Sequence, residues 1–175
     1  MRRPWLTLLR DRRGVSAVEF AMLAPVMVAF YFGLSELCQG YMAQKRVGHV
    51  ASIIADLISQ DEAVSSGEIA DIFTVGATVL KPFSSTTLAQ RVSSVTVDSS
   101  GVARVDWSRG SGMTARAAAS TVTLPSGLVG NGESVIMSEV TYDYDSPVDY
   151  MMPGLTRFSQ THYLRPRRVD RITFE

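Results

Sequence analysis

The chain has 175 residues, enough for one domain with an appendage and too few for two full-sized enzyme domains. Its 17 Lys and Arg balance 17 Asp and Glu, so net charge does not recommend nucleic acid as a partner, and its single cysteine, Cys38, excludes an internal disulfide or a site built on two thiolates. The charge is unevenly spread: residues 1–14 hold five arginines against Asp11, a local +4, which leaves 12 bases and 16 acids, or −4, over residues 15–175.

From Val15 to Leu34 the chain reads VSAVEFAMLAPVMVAFYFGL, in which Glu19 is the only ionisable side chain apart from the Tyr31 phenol. About 20 such residues suffice to cross a bilayer core. Arginines before the span hold that flank in the cytoplasm, so the body of the chain is expected on the far side. The apolar run continues into Ser35-Glu36-Leu37-Cys38 without a small-residue cleavage site, unlike an ordinary secretory signal, and Leu37 is a poor neighbour for a lipidated cysteine. Cys38 is therefore expected to be a buried thiol near the outer membrane interface. A carboxylate deep in lipid costs about 2.5–3.5 kcal/mol and calls for a partner. The alternative is a shallow Glu19 that reaches the cytoplasmic headgroups and favours the positive end of its helix.

The string Arg12-Arg13-Gly14-Val15-Ser16-Ala17-Val18-Glu19-Phe20 resembles the processing motif of type IV-like prepilins: basic leader, glycine, four residues, glutamate, aromatic. With the apolar helix that follows, and with Pro25 in Leu23-Ala24-Pro25-Val26, it looks like the TadE-like pseudopilins of tight-adherence (Tad, or Flp-type) pilus systems. The resemblance implies cutting after Gly14 by a membrane prepilin peptidase, with Arg12 and Arg13 as leader charge, Gly14 and Val15 as the processing site, and Glu19 and Phe20 as assembly residues. Other Tad pilins and pseudopilins and the inner-membrane assembly platform are the implied partners. The spacing has its own physical sense, since a new α-amine on Val15 would lie one helical turn from Glu19, where opposite charges attract.

Beyond the span, Ala43, Val47, Val50, Ile54 and Leu57 are spaced 4, 3, 4, 3 and predict that the helix continues to about residue 60. A polar break at Asp61 to Gly67 precedes a second helix over Glu68 to Leu80, with Ile69, Ile72, Phe73, Val79 and Leu80 as candidate core. The period then changes to two. Arg91 to Val97 reads as a strand with an irregular start, because Ser93 and Ser94 put Val92 out of phase with Val95 and Val97. Asp98 to Gly101 is a turn, Val102 to Trp107 completes a hairpin, and Ser108 to Gly132 is hard to read. Ser134 to Asp145, with Ile136, Val140, Tyr142 and Tyr144 on one face, and Phe158 to Leu164 are further strands. The expected fold is α+β, with 1–14 a basic leader, 15–37 the transmembrane helix, 38–60 its periplasmic continuation, and 61–175 a head with a second helix and a small antiparallel sheet of about four strands. Glu139 to Tyr144 and the late Arg165-Pro166-Arg167 also look like the C-terminal part of TadE-like chains.

No enzyme signature emerges. His49 and His162 lie 113 positions apart without a neighbouring acid or cysteine at triad or ligand spacing, and the glycines do not sit in a strand-to-helix phosphate loop. Asp143, Asp145, Asp149 and Tyr150 could offer oxygens to calcium but lack a calcium-loop pattern, and Arg165 to Arg171 reads as a solvated edge, or else as a surface for polyanions or acidic partners. No catalytic residue, metal or cofactor is expected. The function expected is that of a minor pseudopilin or assembly factor supporting adhesion or secretion, anchored in the inner membrane with its head in the periplasm. An uncleaved, anchored envelope scaffold or binding module is the alternative.

Overall fold

The computed structural model describes residues 14–147, 154 and 156–175. Arg12 and Arg13, and Asp149 and Tyr150 of the calcium alternative, lie outside the described residues. The architecture is α+β: a helix α1 (Val15–Ser59), a short strand β1 (Ala63–Val64), a helix α2 (Ser66–Val79), then β2 (Leu88–Val97), β3 (Ala103–Ser111), β4 (Ser134–Tyr144), β5 (Thr156–Leu164) and β6 (Thr173–Phe174).

At 1.5 Å per residue the 45 residues of α1 extend about 67 Å. Pro25 lies inside it without ending it. The two halves differ in what surrounds them. From Val15 to Phe32 only Ala24 is even half-buried, whereas from Gly33 onward a stripe of Gly33, Glu36, Gly40, Ala43, Val47, Val50, Ala51, Ile54, Ala55 and Ile58 is buried on the head. The stripe ends on Ile58 rather than the expected Leu57, which is half-buried, because 3.6 residues per turn rotate the contact face by one position over this length. Cys38 corrects another expectation: its thiol is exposed. It lies two residues, about 200° around the helix, from the buried Glu36 and so points away from the head.

Helix α2 begins two residues earlier than its apolar period suggests. Ser65 and Glu68 form a reciprocal capping box, with Ser65 N donating to Glu68 Oε2 at 2.8 Å and Glu68 N to Ser65 Oγ at 3.4 Å. The presumed polar break also contains β1, which pairs in parallel with β6 and brings the C-terminus against the end of α1.

The main sheet has the order β3-β2-β4-β5, all neighbours antiparallel. Both faces are covered. The helices cover Val92, Trp107, Ile136, Val140, Tyr142 and Tyr144, while Val122, Leu124, Leu128 and Val129 of the irregular 112–133 segment cover Val95, Val97, Ala103, Val105, Val135 and Met137. Two-sided burial explains the supposed irregularity of β2. Val92 belongs to the helix side and Val95 and Val97 to the other, in strict alternation. The real defect lies on β3, where Ser94 opposes Trp107 and Val95 opposes Val105, which leaves Asp106 as a bulged extra residue. Its carboxylate accepts from Ser94 Oγ at 3.0 Å and Thr96 Oγ1 at 2.6 Å.

Direction along the sheet fixes what lies near the membrane. The end of α1 meets the C-terminal segment through Arg167 N donating to Ser59 O at 2.9 Å, whereas Glu36 acts electrostatically on Tyr144 at the far end of β4. Strand β4 therefore runs antiparallel to α1, and its Tyr144 end sits beside the exposed half of the helix.

Candidate functional site

The exposed half of α1 is the first candidate. Residues 15–32 amount to about 27 Å of helix, close to the roughly 30 Å of a bilayer core. The best 18-residue window has a mean hydropathy of 1.8 and no buried residue, so α1 fits a single-pass membrane anchor. Phe20, Met22, Leu23, Val26, Met27, Phe30 and Tyr31 each present more than 60% of their surface. An apolar surface of this extent needs lipid or another helix.

The sequence-derived site residues stand at its start. Gly14 precedes the first turn of α1 with φ −90° and ψ −5°, a conformation open to any residue, and a Cβ built on it would meet nothing within 4 Å. Val15, Glu19 and Phe20 are exposed on the helix that follows. Among the described residues no side chain pairs with Glu19, and Leu23 occupies the position one turn on. The fold brings these four residues together through local helical spacing, with no tertiary contact required.

At the other end of the exposed run stands a residue that the apolar pattern did not single out. Glu36 is fully buried, about 26 Å along the axis from Glu19. It shares a stripe with Gly33, Gly40 and Ala43, whose small side chains let the head approach closely. Nearby, burial pushes the Tyr144 phenol above its ordinary value, against a Ser146 hydrogen bond that lowers it, and the charges of Glu36 and Asp145 raise it further. The readable signal for Glu36 was its 3, 4, 3 spacing with Gly33, Gly40 and Ala43; its charge concealed it among outward-facing polar residues.

The remaining candidates resolve into structural pairs. Both Asp143 oxygens accept from Arg157, at 2.6 and 2.8 Å, which holds the carboxyl below its usual range. His49 is exposed on α1 and His162 half-buried on β5, at separate places. The C-terminal arginines are exposed yet engaged: Arg165 with Glu133 at 2.8 Å, Arg167 with Asp56, and Arg171 with Asp106 at 3.5 Å. On the sheet face away from the helices, burial opposes the charge of Glu139, but Arg91 and Arg116 each grip it by two hydrogen bonds, and the net effect lowers its pKa. Arg116 belongs to the irregular segment, so this pair of forks pins that segment to the sheet.

Residues 14–56 match the family model described as TadE-like protein. Over that segment the chain is similar to TadE-like proteins. The match begins at Gly14, covers the exposed run and most of the buried stripe of α1, and links that segment to Tad pilus systems. It ends before β1, so the resemblance of the C-terminal strands lies outside it. No curated protein and no solved structure matched the chain.

Proposed function

We propose that this TadE-like chain is a minor pseudopilin or assembly factor of a Tad pilus, cut after Gly14 by a prepilin peptidase on the cytoplasmic side and anchored by α1 with its head in the periplasm. The observation that carries the reading is the lack of any structural demand at the motif. Gly14 has neither a positive φ nor a neighbour that would exclude a side chain, and Glu19 sits exposed in an apolar helix without a partner among the described residues. Residues that a fold does not need are explained by what acts on them. Glycine lets a peptidase approach the backbone closely. Cleavage would free a cationic amine at Val15, and Glu19, one turn along, can meet that amine or the amine of a neighbouring subunit, which offsets the cost of a carboxylate in lipid.

In this role the protein is a substrate and a structural partner and performs no catalysis. Its partners are the peptidase, other Tad pilins and pseudopilins and the inner-membrane platform, and its output is pilus biogenesis in support of adhesion or secretion. Glu19→Ala tests the assembly step. The variant should insert into the membrane in normal amount and fail to support piliation, read by counting pili in a strain whose chromosomal copy is replaced. Normal piliation would remove Glu19 from the mechanism.

A further inference from the structure

Strand β3 is an outer edge of the sheet, and it is only half covered. Residues 119–122 pair with its first part, through Val105 N to Ser120 O at 3.0 Å, Ala119 N to Val105 O at 2.8 Å and Val122 N to Ala103 O at 3.0 Å. Among the described residues this backbone pairing stops at the Asp106 bulge. The stretch from Arg109 to Ser111 is the open part of the edge, whereas Ser108 is buried and its carbonyl accepts from its neighbour's guanidinium, Arg109 Nη1, at 2.8 Å. Open edges accept further strands.

Two clefts flank this edge. One, of about 480 Å³, lies against the small exposed residues Ser66, Ala70 and Thr74 of α2; the other, of about 510 Å³, lies against the C-terminal Ile172 to Phe174. Arg109 lines both. Its guanidinium is stacked 3.7 Å from the centroid of the Phe174 ring, which fixes the fork while leaving charge to be matched. Among the described residues it has no carboxylate within ion-pair distance. The second cleft also holds Arg116, paired with Glu139, and Arg171, paired with Asp106. Arg109 is thus the arginine of this cleft whose charge no acid among the described residues matches.

We infer that this groove docks an extended, acidic peptide segment of another protein, which adds main-chain hydrogen bonds to the open end of β3 and seats a carboxylate on Arg109. Strand addition supplies length-dependent affinity, and the bidentate fork selects a planar anion at one position. A second copy of this chain is a poor occupant through its other edge. Strand β5, TRFSQTHYL, has no acid and would bring Arg157 towards the arginines. The inference does not depend on pilus membership, since it rests on the head alone.

The test uses the full chain in detergent and a fluorescent seven-residue peptide, Thr-Val-Thr-Glu-Val-Thr-Val, against the same peptide with Gln for Glu. The Glu peptide should bind at least about tenfold more tightly by fluorescence polarisation, roughly 1.4 kcal/mol. Arg109→Gln should abolish that difference, and Arg109→Lys should restore part of it, because it keeps the charge and loses the fork. Methylating alternate peptide amides should abolish binding if the peptide adds as a strand. Failure of the native chain to bind either peptide, equal binding of both, full binding of the methylated peptide, or an undiminished preference in Arg109→Gln would each overturn the inference. The comparisons among peptides need only the native chain and stand whether or not the variants fold.

Discussion

Gly76 and Gln90 show how two residues that look unfavourable singly become necessary together. A glycine inside a helix and an amide inside a strand are each weak choices on propensity. Here Gln90 is 4% exposed, its Nε2 donates to Phe73 O at 3.2 Å, and its Oε1 occupies the space that a Cβ on Gly76 would need, only 2.2 Å from that position. Val50 Cγ1 stands 3.2 Å away on the other side. Gly76→Ala should therefore overpack the junction of α1, α2 and β2 and cost about 1–3 kcal/mol, seen as a lower thermal unfolding midpoint. An unchanged midpoint would mean that Gln90 can move without loss. Glu139→Ala leaves two partly buried guanidiniums without their acid and should cost about 1–3 kcal/mol. It should also speed amide hydrogen exchange in 112–133 ahead of β4, whereas uniform acceleration would contradict a pinning role. Neither pair was legible in the sequence, because cross-strand and helix-to-sheet partners are set by register.

At the scale of elements, the periods carried most of the information. The apolar run and the 4-3 stripe of α1 were visible, as were α2, the hairpin and the strands β4 and β5, since each buries a regular face. What failed was reading a phase as a defect. Val92 and Val95 look inconsistent for a strand with one buried face and are regular for one buried on both. The bulge on β3 had no signature, for Asp106 is polar and became an acceptor for Ser94 and Thr96. The capping box at Ser65 and Glu68 is a local Ser-x-x-Glu pattern, hidden because its serine lies within the polar break. The two-residue strands β1 and β6 are too short to show a period. The division of α1 makes its own prediction. Ile54→Ala, at a fully buried site, should destabilise the head by about 2–5 kcal/mol, while Phe20→Ala, exposed in the apolar run, should leave head unfolding unchanged. A comparable loss from both would mean that the exposed half also packs on the head.

For the whole molecule, the head is held by carboxylates whose hydrogen bonds favour the charged form. The Ser100 hydroxyl, with the Val102 amide and Arg104, holds Asp98 at about 2 against an ordinary 3.8, and Glu139 and Asp143 are lowered as well by their arginines. A carboxyl lowered by folding adds stability above its unfolded pKa and gives it up as pH falls through the folded value. The unfolding midpoint of the full chain in detergent should thus hold between pH 7 and 5 and fall below about pH 4 as the Asp98 window, 3.8 to about 2, is crossed. A midpoint that rose on acidification would contradict these pairs. The motif from Arg12 to Phe20 was the most legible part of the chain, because it is a local pattern that needs no fold to be read. The groove beside β3 was the least legible, since it joins residues 66, 109 and 174.

The processing claim is tested most directly by the mass of the N-terminus of the native, membrane-extracted protein, with the prepilin peptidase present and then deleted. A mature chain that starts at Val15, and that regains residues 1–14 when the peptidase is absent, is the expected result. Residues 1–14 retained in both strains would contradict prepilin processing and leave an uncleaved, membrane-anchored envelope scaffold as the better description.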